Sequence, residues 1–451
     1  MNNRLFALLL ALLGIAAFFT FQVPGFGFVS ARHLSLLMID FAITATLAVG
    51  MLVVILPGHI DLSAGSGVGL TGGIAAVTAA QPLGIGAWCV TPLAWLAHWS
   101  RAFALDDPAV WLEARAAEVR DYFVALDATR PWLHVPLAMC GALLVALILW
   151  RLMGSLIVRQ RIPAFIITLG GLLVFKGLFW LVIQNHTVPI SIAGAGGEVI
   201  AHWAWLKDLC GLDSLLIFTF SGNAYSMLTT GYLGPLVGYA LAALVVFVLT
   251  ITLLRARDSR ISHGLAADDG EVAFLKIFIA AQLIVLFVII TNQFRGVPLP
   301  AVILGVVALG VWLLTQHTPW GRYLYAIGGN EEAALISGIP IARVTIGAFT
   351  LMGAIVALTG LMQTAYGGAS TTTVGDLMEL DAVAACVIGG TSLKGGRGTV
   401  LGVLCGALIM AGLINGLTLL AVNPEIKYIA RGAVLIAAVW MDTRLSRQVA
   451  V

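Results

Sequence analysis

The chain alternates long apolar runs with brief polar breaks, and the runs have the length of membrane helices. A helix crosses the hydrocarbon core with about 20 apolar residues, and about 17 to 25 are tolerated. Runs of this kind fall near 5–22, 34–56, 62–80, 136–153, 163–184, 232–254, 273–291, 300–316, 345–363, 378–392, 399–421 and 427–442. The run 378–392 is short and interrupted, as expected of a re-entrant or broken helix buried in protein. A further run, 213–222, reads as a segment that dips in without crossing. The stretch LAALVVFVLTITLL, Leu241 to Leu254, does not alternate in and out, which excludes a β-barrel. The expectation is an all-α polytopic membrane protein. It has ten to twelve transmembrane or re-entrant helices in one membrane domain, 1–451.

Composition strengthens this. Of the 451 residues 60% are hydrophobic and 10% charged, with a mean hydropathy of +1.01. Soluble proteins carry roughly a quarter charged residues, so there is too little polar surface to coat a water-facing globule of this size. A net charge of +2 gives no reason to expect nucleic acid as a partner. The five cysteines are scattered without metal-ligand or CxxC spacing, which argues against zinc and redox chemistry. The N-terminal run resembles a signal peptide but lacks a small-x-small cleavage site, so it reads as a retained first span.

Basic residues give the orientation. One set of polar breaks holds Arg4, Arg151, Arg159, Arg161, Arg255, Arg257, Arg260, Arg322, Arg343, Lys394, Arg397, Arg444 and Arg447. The short breaks on the other side hold Arg32, Lys207, Arg295 and Lys427. The positive-inside rule makes the first set cytoplasmic, with both termini inside. The segment 81–135 is then an extracytoplasmic loop. Asp107 and Pro108 start a helix there, and Val110, Val119, Phe123 and Leu126 give it a rough apolar stripe, as expected of an interfacial helix or a packed loop helix.

Two glycine-rich motifs carry no cofactor. GVGLTG, Gly67 to Gly72, lacks the preceding strand and the later acidic residue of a dinucleotide site. Its glycines instead repeat at four-residue spacing, which lets membrane helices approach closely. GGTSLKGG, Gly389 to Gly396, lacks the GK[ST] of a phosphate loop. The segments Gly58–Ala76 and Gly389–Ala407 share Gly58/Gly389, Leu62/Leu393, Gly65/Gly396, Gly67/Gly398, Leu70/Leu401 and Ala76/Ala407. This suggests an internal helix-turn-helix repeat, a device common in transporters.

Two places stand out chemically. Asp61, with Ser63 beside it, sits where a helix begins. A short acceptor there caps free backbone N–H groups, and the same carboxylate is a candidate contact for a translocated solute or a gate. The second is YAIGGNEEAALISGIPIARV, Tyr325 to Val344, in the polar segment 317–344. Asn330 is a good N-cap, Glu331 and Glu332 suit the first turn, and Gly338 with Pro340 stops the helix. The result is a helix of about seven residues, about 10 Å long, either a docking peg or an ordinary structured loop.

Longer stretches resemble a known family. LAVGMLVVI and IDLSAGS (Leu47 to Ser66), IPAFIITLGGLLVFKG (Ile162 to Gly177), RGVPLP (Arg295 to Pro300), GRYLYAIGGNEEAALISGI (Gly321 to Ile339), ELDAVAACVIGGTSLKGG (Glu379 to Gly396) and AVWMD (Ala438 to Asp442) are similar to the ribose/xylose-type sugar permeases of bacterial ABC importers. The resemblance implies an inner-membrane subunit that passes a monosaccharide, a xylose-type pentose, by alternating access. It implies three partners: a separate ATPase that uses the ATP, a periplasmic sugar-binding protein, and a second permease copy or a similar permease. The chain itself would bind no cofactor and catalyse no reaction.

Under the same resemblance, the segment 317–344 is the coupling loop, with Gly328, Gly329, Asn330, Glu331, Glu332, Ala333, Ala334, Ser337 and Gly338 meeting the ATPase. Asp61, Ser63, Ser66, Thr168, Asn185, Glu379 and Asp381 are the candidates to line the path, each also readable as packing or capping. Lys176, a charge inside a span, calls for a carboxylate partner that the sequence does not name. The long outer loop, Gly84 to Pro131, is a departure from the family pattern. Two rivals stand beside this reading: an ion-coupled secondary transporter using His59, Asp61, Glu379 and Asp381, and an ABC permease for branched-chain amino acids.

Overall fold

The computed structural model describes residues 3–80, 110–115, 117–118, 131–190, 218–219, 225, 227–264 and 270–449. Each of the twelve apolar runs falls on a helix. These are α1 (Asn3–Gln22), α2 (Ala31–Ile55), α3 (Ala64–Ala80), α4 (Pro131–Gln160), α5 (Ala164–Ile183) and, after the single turn α6 (Met227–Thr230), α7 (Pro235–Ser262), α8 (Gly270–Asn292) and α9 (Leu299–His317). Then come α10 (Pro319–Gly329), α11 (Glu331–Ile336), α12 (Ile341–Gly367), α13 (Met378–Ile388), α14 (Val400–Leu419) and α15 (Pro424–Val449).

Among the described residues, eight helices are long and apolar enough to cross a membrane: α2, α4 from Val135, α5, α7, α8, α9, α12 and α14. Parts of α1 and α3, Leu10–Gln22 and Ala64–Ala79, are apolar but shorter. At 11 residues α13 extends about 16 Å, too short to cross, as its interrupted pattern predicts.

The bundle is arranged around α2. This helix is apolar all round and buried along nearly its whole length, the expected placement for such a pattern. It packs against α9, α12, α13 and α14. Next to it, α3 is wedged between α4, α5 and α12 through its glycines. Side chains added at Gly69 and Gly73 would run into the Phe179 ring. By contrast α7 and α8 pack mainly on each other and leave Phe247, Phe274, Leu275 and Leu283 exposed, a surface suited to lipid.

Among the described residues, five two-residue strands tie the connections together. β1 (Val188–Pro189) pairs antiparallel with β5 (Ala369–Ser370), joining the segments that follow α5 and α12. β2 (Phe218–Thr219), β3 (Tyr232–Leu233) and β4 (Val297–Pro298) form a second small sheet in that order. Strands this short leave no periodicity in a sequence, and the run 213–222 meets the described structure only as β2.

The proposed repeat is not reproduced in register. Shifted along by the offset of its paired glycines, the start of α3 at Ala64 falls on Gly395, whereas α14 begins at Val400 with Thr399 as its N-cap. The two turns nevertheless lie against each other. The predicted interfacial helix of 81–135 lies mostly outside the described residues; 110–115 are helical, with Val110 and Trp111 exposed.

Candidate functional site

The segment from Thr318 to Pro340 is specified locally. Thr318 caps α10 by accepting from the Gly321 N–H at 3.2 Å. Asn330 ends α10 and starts α11; its Oδ1 accepts from the Ala333 N–H at 3.0 Å. At the far end Gly338 takes φ +78°, and the Gly338 and Ile339 N–H groups return to the Leu335 and Ala334 carbonyls. This is the Schellman arrangement that glycine permits. Ser337 Oγ adds a bond to the Ala333 carbonyl at 2.8 Å. The result is a single turn closed at both ends. Ala334 points inward and is buried, while Leu335 and Ile336 are 65% and 88% exposed.

Immediately below, three loops meet backbone to backbone. The Gly396 N–H donates to the Leu56 carbonyl at 2.9 Å. A Cβ on Gly328 would overlap that carbonyl oxygen and the Gly396 nitrogen. One on Gly395 would lie 2.8 Å from the Gly328 Cα, the Gly58 N and the Leu56 O. Gly58, Gly395 and Gly396 also sit at φ +91°, +89° and +72°, where L side chains are strained. Gly329, one residue on from Gly328, faces open space. Tyr325 locks the arrangement: its hydroxyl donates to the Gly398 carbonyl at 2.9 Å and accepts from Gln316 Nε2 at 3.1 Å. Burial pushes the Tyr325 phenol above its ordinary value. The capped helix therefore stands on a joint between the turn after α2, the end of α10 and the turn before α14.

The turn after α2 carries the polar cluster. Asp61 is fully buried, and among the described residues its bonds are local or to one neighbouring helix. Its Oδ1 accepts from the Ser63 N–H at 2.9 Å and the Ser63 hydroxyl at 2.6 Å, and its Oδ2 accepts from Trp150 Nε1 at 2.6 Å. Ser66 Oγ donates to the Ser63 carbonyl at 2.9 Å, and Thr168 Oγ1 of α5 donates to the Ile60 carbonyl at 3.2 Å. Asp61, Ser63, Ser66 and Thr168 are thus one assembly. His59 projects toward Phe349, ring centroids 6.1 Å apart. Burial holds its imidazole below the ordinary histidine value, partly offset by the Glu331 carboxylate on α11.

The remaining candidates divide. Glu379 of α13 lies against α3: a Cβ on Gly65 would overlap its Oε2. It therefore borders the Asp61 assembly. Asp381, one helical step further, pairs with Arg431 of α15 at 3.2 Å. Asn185 stands apart, exposed beyond the end of α5 at φ +57°. Lys176 finds its carboxylate in Asp376, in the loop between β5 and α13, and its ammonium also stacks 5.6 Å over the Trp180 ring.

Residues 33–439 match the family described as branched-chain amino acid transport system / permease component. The chain belongs to that permease family. It is 32% identical over 448 residues to the xylose transport system permease XylH of Escherichia coli K12, covering 99% of this chain and 94% of that protein. Against the XylH of Haemophilus influenzae it is 31% identical, covering 98% and 96%. A 155-residue stretch is 45% identical to the ribose import permease RbsC of Bacillus subtilis, 34% of this chain and 48% of that protein. No solved structure matches the chain.

For a permease of this family, the residues that sequence reasoning passed over are Trp150, Tyr325, Asp376 and Arg431. Each acts across a gap of tens to hundreds of positions, so no local spacing marks it. Gly328, by contrast, was among the expected ATPase-coupling residues, and its place in the joint rests on contacts with Leu56 and Gly396.

Proposed function

We propose that the chain is the membrane subunit of an ATP-driven importer that passes a monosaccharide, a xylose-type pentose, across the bacterial inner membrane. The observation that carries the coupling part is α11. Two large apolar side chains, Leu335 and Ile336, stand exposed on a turn whose ends are both closed. A lone turn of six residues has little stability of its own, so its caps and its buried Ala334 serve to present that surface. A separate ATPase seats on it. The similarity to xylose and ribose permeases supports the sugar as cargo.

The mechanism follows from the joint. A displacement of α11 reaches Gly328, and through it both the turn after α2 and the turn before α14 at once. Backbone-on-backbone contact leaves no soft side chain to absorb the motion. The Asp61 assembly passes it to α4 through Trp150 and to α5 through Thr168. Glu379 lines the moving face of α13 toward α3, Asp381 ties the other side of that helix to Arg431 of α15, and Asn185 meets solute at the opposite mouth. In this arrangement α11 and both termini face the cytoplasm, the 81–135 loop faces the binding protein, and a second permease completes the pore.

The family description favours a second cargo, a branched-chain amino acid. The test is uptake into liposomes holding the chain, its ATPase and its binding protein. ATP-dependent accumulation of labelled xylose supports the first reading. Leucine uptake without xylose uptake replaces the cargo. Accumulation on a pH gradient without ATP removes the importer itself.

A further inference from the structure

The half of α2 remote from the joint carries a second polar cluster, which the coupling machinery leaves unused. Asp40 lies about 14 Å along α2 from its start. Its Oδ2 accepts from Asn415 Nδ2 of α14 at 2.5 Å. The Tyr366 phenol, at the end of α12, reaches the same carboxylate. Two turns earlier on the same face of α2, His33 lies beside Asn415, its ring 5.3 Å from that of Phe28. Three helices thus bring a carboxylate, a carboxamide, an imidazole and a phenol to one face of the central helix.

The hydrogen bonding of this cluster is incomplete. His33 is only 9% exposed, yet its Nε2 has no hydrogen-bond partner among the described residues. Asn415 Oδ1 likewise lacks a hydrogen bond of good geometry, although the Asn415 side chain lies within reach of the His33 ring. Leaving such atoms unsatisfied is expensive, and the contrast with Asp61, whose oxygens are all engaged, is direct. Asp40 and Asn415 are only partly buried and Tyr366 is exposed, so the cluster is open on one side. Asp40 forms no ion pair among the described residues. The set offers a carboxylate acceptor, an amide acceptor, an imidazole nitrogen and an aromatic face, with no Lys or Arg among its four members. A neutral polyhydroxyl molecule fits that chemistry, because each hydroxyl both donates and accepts.

Resting on the monosaccharide reading, we propose that Asp40, Asn415, His33 and Tyr366 form a sugar-contact station between the binding-protein side and the moving joint. The spare bonds of His33 and Asn415 are completed by hydroxyls of the passing sugar. The contact is weak and open-sided, as passage requires.

The test uses the complete importer, with ATPase and sugar-binding protein, in liposomes, and reads labelled xylose taken up per ATP hydrolysed. Asp40→Asn keeps the size of the side chain and changes its acceptor set; Asn415→Leu removes the amide. Each should lower xylose per ATP at least fivefold, with the ATPase still co-purifying and the melting temperature of Asp40→Asn within about 2 °C of the parent. An unchanged ratio in Asp40→Asn, whether the two rates hold or fall together, overturns the station and makes the cluster structural. If Asn415→Leu does not fold, Asp40→Asn alone decides. The parent importer is the separate control on the cargo: leucine uptake without xylose uptake there overturns the monosaccharide reading, and the station with it.

Discussion

Trp150 donates its indole N–H to Asp61 Oδ2 across 2.6 Å, joining α4 to the turn on which the glycine joint rests. The ring fills a slot cut for it. A Cβ on Gly67 of α3 would overlap its edge, and one on Gly353 of α12 would lie 2.7 Å from its Cβ. A buried carboxylate oxygen without a donor is costly, and Trp150 is the donor to Oδ2 among the described residues, while Ser63 serves Oδ1.

Replacing Trp150 with Phe keeps most of the ring and deletes the donor. The loss should be about 1.5–3 kcal/mol, the range for hydrogen bonds to charged groups, seen as a lower melting temperature in detergent. If Trp150→Phe and Asp61→Asn are additive in a double-mutant cycle, the bond is not what holds the turn.

The glycine joint makes a contrast between adjacent residues. Gly328→Ala drives a methyl into the Leu56 carbonyl, and neither backbone can yield; Gly329→Ala meets open space. In the assembled importer the first should abolish ATP-driven uptake and the second leave it near normal. Equal behaviour of the two would remove the joint from the mechanism.

Exposure separates docking from folding on α11. Leu335→Glu with Ile336→Glu alters only exposed positions, so the stability of the isolated chain should change by less than about 0.5 kcal/mol. Co-purification with the ATPase should be lost. Ala334→Arg places a charge at a buried position and should harm both. Retained ATPase binding by the double variant would mean that the motor seats elsewhere.

His59 should make stability fall in mild acid. Its folded pKa lies below the ordinary value, with burial as the main cause and the Glu331 carboxylate opposing it. The unfolded state then binds the proton first. Its contribution is fully present above the ordinary value, about 6.5, and is lost as pH drops from there through the folded value. Comparing melting curves across pH 7.5 to 5, the His59→Gln chain should show a flatter slope than the parent. Identical slopes would place the acid sensitivity on another group.

Much of the helix layout was legible because bilayer burial needs long apolar runs, and each of the twelve runs became a helix. The capped helix α11 was legible for a different reason. Asn330, Gly338 and Pro340 act on backbone within a few residues, so their effect needs no partner from elsewhere. The two short sheets were not, since β1 needs β5 and β3 needs β4, partners far along the chain, and two-residue strands carry no pattern of their own. The repeat is a mixed case: the matching glycines mark two turns that do meet, but their helices start at different offsets.

Asp61 shows where the division falls. Its position at a helix start, beside Ser63, predicted local capping, and the Ser63 bonds follow from that spacing alone. The third donor, Trp150, stands 89 positions away, and Lys176 reaches Asp376 across 200. What the amino-acid sequence determined by itself was therefore solvent preference and local backbone geometry, because hydropathy, caps and left-handed glycines act over one or two turns. Which loops touch at Gly328 and Gly395, and which carboxylate each buried donor finds, was decided only by tertiary packing, where close approach of distant backbone selects the partners.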